Sequence, residues 1–437
     1  MPISVSTSRI CRSGVSAIVS RVSRSFHYTS SFPRKREAIL LFIDKITLDS
    51  RVRRNDDKLT FASLVTWLLV LGACLTPLGC ARAPTYMQAT AQIDDLMRPY
   101  NGNVPGASIL VIKDGTPLLR RSYGLAEMEN KTAATPQTNY RLASITKQFT
   151  ASAILLLAEH GKLSLDDHIR KWLPSLPDSD DAITIRQLLT HTGGLIDYED
   201  IMPEATAASA PPATTGGALP PTSDEVVDDP SRQLRDIDVL HLLEKERRLY
   251  FKPGTEYRYS NGGYSMLALI VERASGQTFQ DFLRERIFDK LGMHDTLAYV
   301  AEGPPVPHRA YGYTETQGKW RRTDQSLTSA VLGDGGIYSS IDDLAKWDAA
   351  SYDNRLLSDA SRQLAFTPWT KTDDATVQYG FGIRLTGETQ WHSGETIGFR
   401  NVIVRYPKRH LTVIVLTNRD DPEPYRLALQ IADRFGK

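Results

Sequence analysis

The chain has 437 residues, 41% of them apolar and 8% aromatic, so it is long enough to bury a large core in one domain or two. Lysine and arginine total 52 against 51 acidic residues, which gives no reason to expect nucleic acid or an acidic polymer as a partner. All three cysteines lie at or before position 80, which excludes disulfides, thiolate metal sites and a cysteine nucleophile from the rest of the chain.

The N-terminal part of the chain carries targeting features. Residues 1–54 hold 11 basic and only 3 acidic residues, and we assign 1–58 to a basic extension outside the mature fold. The next segment, 59–80, contains an uncharged run after a basic stretch, as an export signal does. The sequence Leu-Gly-Ala-Cys ending at Cys74 resembles a bacterial lipobox, with Cys80 as a second candidate for lipidation. We therefore expect a periplasmic, membrane-anchored lipoprotein.

Alternatives for this region stay open. The uncharged run could form an uncleaved membrane anchor, although two glycines and a proline within it weaken a stable span. Residues 1–50 are rich in serine and arginine, which is also typical of a mitochondrial transit peptide. Because an export signal should begin a chain, we hypothesise that translation starts near Val52.

The elements predicted downstream are strand hairpins at both ends and helices between them. Short runs rich in apolar and β-branched residues, bounded by turn residues, predict the strands, and apolar spacing of three and four predicts the helices. Two terminal hairpins indicate one antiparallel sheet built from both chain ends. The predicted strands are 107–113, 117–123, 401–406 and 411–417, and the predicted helices are 86–96, 144–160, 185–190, 263–274, 278–291, 341–351 and 424–435.

These elements predict an α+β fold over residues 88–437, with the sheet flanked by helices, a mainly helical region, and the site between them. Residues 203–223 are almost wholly Ala, Pro, Thr and Gly and bury too little apolar surface to order themselves. We expect a flexible surface insertion there, and a lid over the site is the alternative.

The first chemical motif is Ser144-Ile-Thr-Lys147, at the first turn of a predicted helix. Side chains three residues apart share one helix face, with Cβ atoms about 5–6 Å apart, so the lysine amine can approach the serine hydroxyl. About one such match is expected by chance in a chain of this length, so by itself the motif favours an exposed helical lysine without a catalytic role.

The second motif is Tyr259-Ser-Asn261, in a loop rich in Pro and Gly before a predicted helix. The tyrosine could relay a proton beside an ammonium, and Asn261 offers an amide to a substrate carbonyl or to Lys147. The alternative is that these residues only form the turn.

The third motif is His392-Ser393-Gly394, ahead of the C-terminal hairpin. A glycine there lets substrate approach the backbone, and the N–H of Glu395 could join that of Ser144 in an oxyanion hole. A rival motif, His-Thr-Gly-Gly at 191–194, directly follows a predicted helix, and we interpret its glycines as a helix stop.

In this order the three motifs resemble those of class C β-lactamases and of the related serine D-Ala-D-Ala carboxypeptidases and esterases. The segments at 188–195, 252–264, 291–293 and 334–347 fit the same family. The resemblance implies acyl transfer through a Ser144 acyl-enzyme, with Lys147 and Tyr259 moving the proton and no metal or cofactor.

One position departs from the family pattern. β-Lactamases of this type usually have Lys-Thr-Gly where this chain has His392, and an ordinary histidine is charged only below about pH 6.5. An ester, an amide or a D-amino-acid peptide is therefore as plausible a substrate as a β-lactam. The alternatives are a non-catalytic penicillin-recognising or peptidoglycan sensor on the same scaffold, and a mitochondrial β-lactamase-like protease. No sequence feature indicates an oligomeric state.

Overall fold

The computed structural model describes residues 82–207, 233–420 and 424–435, with 82–87 and 203–207 as backbone alone. The predicted extension 1–58, the export segment with Cys74 and Cys80, and most of the predicted insertion lie outside these residues. Within the described ranges, no helix is long and apolar enough to cross a membrane.

Both chain ends contribute to one eight-stranded sheet, in the order β3-β4-β5-β6-β7-β8-β1-β2. The strands are β1 (Ala107–Lys113), β2 (Thr116–Tyr123), β3 (Thr370–Lys371), β4 (Val377–Tyr379), β5 (Arg384–Thr386), β6 (Thr389–Thr396), β7 (Phe399–Tyr406) and β8 (Leu411–Thr417). Because β1 pairs antiparallel with both β2 and β8, the two terminal hairpins join within one sheet. The predicted α+β fold is confirmed.

Helices and short strands fill the rest of the described chain. The helices are α1 (Arg82–Leu96), α2 (Thr146–Glu159), α3 (Ile169–Trp172), α4 (Ile185–Leu189), α5 (Tyr198–Ala207), α6 (Asp236–Leu243), α7 (Asn261–Ser275), α8 (Phe279–Leu283), α9 (Asp289–Leu291), α10 (Leu332–Gly335), α11 (Ile341–Ala350), α12 (Asp359–Phe366) and α13 (Pro424–Ala432). Short strands pair as Leu125–Glu127 with Thr132–Ala133, Tyr140–Arg141 and Leu297–Ala298 with Ile337–Ser339, and Tyr313–Thr316 with Lys319–Arg322.

The sheet is covered on both faces, which explains why its central strands are apolar at nearly every position. In β1, Ile109 and Val111 pack with residues of α1 and α13, whereas Leu110 points to the other face and joins the core of the helical region. In that region every residue of α2 from Thr146 to Leu157 is buried. The first turn of α2 therefore lies between the sheet and the helices.

Three local features differ from the sequence-based expectations. The His-Ser-Gly motif lies within β6, which pairs with β5 and β7. The sequence did not predict this strand because many of its residues are polar. The predicted helix 278–291 is divided into α8 and α9 by a π-helical turn at Arg284–Phe288. Helix α5 continues to Ala207, five residues into the predicted insertion.

Candidate active site

Ser144 lies in a 3₁₀ turn, Ala143–Ile145, that leads directly into α2. The preceding residue, Ala143, has a left-handed φ of 48°, a costly conformation for a residue with a Cβ. Ser144 is partly exposed at this bend. Lys147 Nζ lies 3.1 Å from Ser144 Oγ, so the structure brings the first predicted pair into hydrogen-bonding contact.

Lys147 is completely buried, and its amine makes three hydrogen bonds. Besides Ser144 Oγ, it donates to Asn261 Oδ1 at 2.7 Å and to the carbonyl oxygen of Asp334 at 3.1 Å. These three oxygen atoms fix the position of the amine beside Ser144. The same nitrogen lies 4.8 Å from the ring centroid of Tyr259, within cation–π range. The first two predicted motifs therefore form one cluster.

The loop with Tyr259 and Asn261 is held from both sides at the start of α7. Ser260 caps this helix by accepting the Gly263 N–H, and its own N–H donates to His191 Nδ1 at 3.1 Å. The Asn261 N–H donates to the carboxylate of Asp197. These bonds orient the Tyr259 and Asn261 side chains toward Lys147.

His191 lies next to the site. From the sequence alone, its motif is interpreted only as the end of a helix. The glycines of its motif are structural, since Gly194 has a φ of 73° and an added Cβ would lie 2.2 Å from the Phe251 carbonyl oxygen. The His191 ring, however, packs against the Tyr259 ring, with centroids 4.3 Å apart and ring planes tilted by 36°. Burial, and then the charge of Lys147, holds the pKa of His191 well below its usual value, so the ring is neutral.

The third motif reaches the site through the backbone of β6. A Cβ built on Gly394 would lie 1.8 Å from the Leu142 carbonyl oxygen, so the glycine admits the turn that carries Ser144. The space predicted for substrate above Gly394 is therefore occupied by the protein's own backbone. Glu395 lines the same pocket as Ser144, whereas Ser393 is partly exposed and does not line it.

His392 is 1% exposed, and both ring nitrogens are hydrogen-bonded inside the protein. Nδ1–H donates to the Ser393 carbonyl at 2.6 Å, so Nε2 accepts the Tyr379 O–H at 3.0 Å. Burial, and then the charge of Arg384, holds the pKa of His392 well below its usual value. The expectation of an ordinary histidine charged below about pH 6.5 is corrected, because this ring stays neutral.

Arg384 places a cation at the site. Nothing in the sequence indicated this cation. It lies opposite Trp391 in the β5–β6 pair, and its guanidinium carbon is 5.5 Å from the ring centroids of both Trp391 and Tyr259. Its Nε is buried without a hydrogen-bond partner, and no carboxylate of the described residues forms an ion pair with it. Arg384 therefore places a cation without a carboxylate partner among the described residues beside Tyr259.

Three carboxyl groups surround the other side of Asn261. Asp197 accepts the backbone N–H groups of Asn261 and Glu199, and Asp334 accepts the Tyr198 O–H at 3.0 Å. Burial raises the pKa of Asp334 to about 7. Burial, reinforced by the charges of Asp197 and Asp334, raises the pKa of Glu199 to about 8. The acidic Asp-Tyr-Glu-Asp run at 197–200 was the available signal for this cluster.

The pocket at Ser144 is small, with a volume of about 50 Å³. In the described parts of the chain, no three His, Cys, Asp or Glu side chains are grouped as a metal site. The chemistry that these groups offer is therefore a hydroxyl beside a buried lysine amine, with a phenol, an amide and strand backbone around it.

The comparisons with known proteins identify the family of this chain. A family model described as Beta-lactamase matches residues 92–435. The chain is 32% identical over 346 residues to penicillin-binding protein 4* of Bacillus subtilis (strain 168), which covers 76% of this chain and 70% of that protein. It is 28% identical over 339 residues to protein flp of Staphylococcus aureus (strain N315), covering 75% of this chain and 62% of that protein.

A solved structure supports the same assignment. The penicillin-binding protein from Bacillus halodurans superposes with a TM-score of 0.64 at 27% identity, covering 78% of this chain and 98% of that one. With a family model over most of the chain, a relative above 30% identity and a shared fold, this chain belongs to the β-lactamase family.

Proposed function

We propose that this protein is a serine acyl hydrolase that acts through an acyl-enzyme on Ser144. The observation that carries the proposal is the 3.1 Å contact between Lys147 Nζ and Ser144 Oγ, within a cluster that includes Asn261 and Tyr259. A serine hydroxyl is a weak nucleophile at neutral pH and needs adjacent groups that take its proton. Ser144 also lines a pocket, which gives a substrate carbonyl access to it.

In the proposed reaction, Ser144 Oγ attacks the substrate carbonyl carbon and its proton passes to the Lys147–Tyr259 pair. The pair returns the proton to the leaving group, and water then attacks the acyl-enzyme, which releases the acid and restores Ser144. The backbone N–H groups of Ser144 and Glu395 are the proposed oxyanion donors. The packing of Gly394 against the Ser144 turn supports this role. Loss of one such donor raises the activation barrier by about 3 to 4 kcal/mol.

The proposed substrates are esters, amides and D-amino-acid peptides, and β-lactams are a further proposed class. A neutral, internally bonded His392 cannot pair with a substrate carboxylate. The unpaired guanidinium of Arg384 beside Tyr259 favours carboxylate-bearing substrates nonetheless. Arg384→Gln should lower kcat/KM at least tenfold for a D-Ala-D-Ala peptide and less than threefold for p-nitrophenyl acetate. Equal loss on both substrates would contradict this role.

Ser144→Ala tests the hydrolase directly. The variant should lose turnover of p-nitrophenyl esters, D-Ala-D-Ala peptides and nitrocefin, together with labelling by a fluorophosphonate probe. Retained turnover in the folded variant would falsify the assignment. Slow acylation of the wild-type protein by penicillin, with no hydrolysis of any substrate in this panel, would favour the sensor alternative.

We also propose export of the chain by residues 59–80, with lipid on Cys74. The uncharged run in the sequence after a basic stretch supports this proposal. Radiolabelled palmitate should enter the wild-type protein but not Cys74→Ala in a bacterial host. Label retained in that variant but lost in Cys80→Ala would move the lipid to Cys80, and mitochondrial location in the native host would reject export.

A further inference from the structure

A second cavity lies between α2, α11, α12 and the segment that joins β4 to β5. Its volume is about 40 Å³, close to the about 50 Å³ of the pocket at Ser144, yet no described residue lines both. Arg362, Ala365 and Phe366 line it and are partly exposed, so the cavity opens to solvent beside α12. It is therefore a separate and accessible space in the fold.

The wall of this cavity is mainly apolar. Its large apolar side chains are those of Trp347, Leu356, Leu357, Phe366, Phe381 and Ile383. The charged residue in the wall is Arg362, whose guanidinium already donates to the Asp359 carboxylate and to the Leu357 carbonyl oxygen. The Ser152 hydroxyl donates to the Gln148 backbone carbonyl at 2.9 Å. The ligand that suits this wall is therefore small, neutral and mostly apolar.

One polar group of the wall lacks a partner. Gln148 is 6% exposed, and its Nε2 is buried without a hydrogen bond to any described residue. The orientation of this amide is fixed because Oε1 accepts two donors, Trp347 Nε1 and Arg405 Nη1, each at 3.2 Å. Turning the amide over would place its N–H groups against those donors. Gln148 therefore presents an unpaired donor to the cavity that it lines.

The Gln148 amide is also held rigidly. Arg405, which bonds to it, forms a buried ion pair with Asp348, with Nε and Oδ1 2.7 Å apart. The Thr412 hydroxyl donates to the same Asp348 oxygen at 3.0 Å. Because Arg405 is anchored in this way, its bond to Gln148 keeps the amide in place. A donor that is already ordered loses little entropy when it binds a ligand.

The polarity of the cavity favours a small organic ligand over water. A buried N–H without a partner costs free energy, and an acceptor oxygen on a ligand would remove that cost. Buried water molecules typically make about three hydrogen bonds, whereas apolar cavities bind small organic molecules. The Gln148 amide supplies an unpaired donor within a wall that is otherwise mostly apolar. A molecule with one acceptor oxygen and an apolar body matches this arrangement.

We propose that this cavity is a second ligand site, for a small neutral molecule whose acceptor oxygen binds Gln148 Nε2 and whose apolar body packs on Trp347 and Phe381. The site adjoins a catalytic element, since Gln148 follows Lys147 on α2. A Cβ added to Gly382, the neighbour of Phe381, would lie 2.5 Å from the Lys147 carbonyl oxygen. The inference does not depend on the proposed hydrolase function, because binding in this cavity requires no acyl transfer.

The test uses cyclopentanone and cyclopentane, which share a ring and differ in the carbonyl oxygen. Each is titrated by NMR into the full chain with 15N-labelled glutamine. Gln148→Glu keeps an oxygen for Trp347 and Arg405 but removes the donor. It should weaken cyclopentanone binding at least about fivefold, roughly the effect of one neutral hydrogen bond, with cyclopentane binding nearly unchanged. The Gln148 side-chain amide signal, identified by its loss in Gln148→Glu, should shift with cyclopentanone.

Two alanines of α12 provide matched variants, because Ala365 lines the cavity and Ala360 is exposed. Ala365→Leu fills the space and should abolish binding of both probes, whereas Ala360→Leu and Ser144→Ala should bind them as the wild-type protein does. Wild-type affinity in Ala365→Leu, or loss of cyclopentanone binding in Ser144→Ala, would overturn the proposal. So would equal cyclopentanone affinity in the wild-type protein and folded Gln148→Glu. If Gln148→Glu does not fold, the two α12 variants still decide.

Discussion

Gly394→Ala is the most direct test of how β6 is joined to the Ser144 turn. The added Cβ would lie 1.8 Å from the Leu142 carbonyl oxygen, whereas carbon–oxygen contacts settle at about 3.3 Å or more. Strand β6 and the turn must therefore separate by about 1.5 Å. A misplacement of about 1 Å costs roughly 100-fold in rate, so kcat should fall at least about 100-fold. The overpacking should also destabilise the fold by about 1–3 kcal/mol.

Initial rates with p-nitrophenyl acetate and the labelling rate with a fluorophosphonate measure the loss, and circular dichroism shows that the variant is folded. Gly263→Ala is the matched control, because its Cβ would have no neighbour closer than 3.7 Å, an ordinary contact. That control should retain at least half of the wild-type kcat. A folded Gly394→Ala protein with wild-type kcat and labelling rate would refute the proposed geometry of β6 against Ser144.

Three further predictions follow from the buried groups of the site. Lys147→Met should lower the fluorophosphonate labelling rate of Ser144 at least about 100-fold, since general acid–base groups contribute about 100- to 10,000-fold; an unchanged rate would remove Lys147 from the mechanism. Tyr379→Phe should reduce the free energy of unfolding in urea by about 1–3 kcal/mol, because it leaves His392 Nε2 buried and unsatisfied; an unchanged midpoint would show that water replaces the hydroxyl. The raised pKa of Glu199, about 8, means that the folded protein retains a proton that the unfolded chain releases above about pH 4.5, so this group's contribution to stability decreases as pH rises to 8. Urea unfolding should therefore show Glu199→Gln gaining stability relative to wild type between pH 5 and pH 8, and a constant difference would contradict the shift.

Local patterns in the sequence predicted the parts of the site that depend on neighbours along the chain. Ser144 and Lys147 are three residues apart at a helix start, so their contact follows from helix geometry. The 107–113 and 411–417 strands were predicted because buried strands are apolar over their whole length. The strand with His392 was missed, since its sequence lacks that pattern and only pairing with β5 and β7 makes it a strand.

Contacts across long sequence separations, and the solvation that they create, could not be predicted locally. Glu199 and Asn261 meet because Asp197 binds the backbone of both, and no spacing rule connects such distant residues. Arg384 belongs to a three-residue strand whose place in the sheet decides that it faces Tyr259. Such contacts determine which charges surround the site, and that of Arg384 carries the proposal on substrate class.

The sequence by itself determined the α+β fold, the family and the order of the three motifs, because these depend on residue types and short-range periodicity. Only the tertiary structure decided the protonation of the site. Burial makes His392 neutral and keeps Glu199 protonated to about pH 8, since a low-dielectric environment disfavours the charged form of each. Because solvation is a property of the packed interior, the same histidine that the sequence presents as a titrating ring is a neutral partner of Tyr379 in the folded protein.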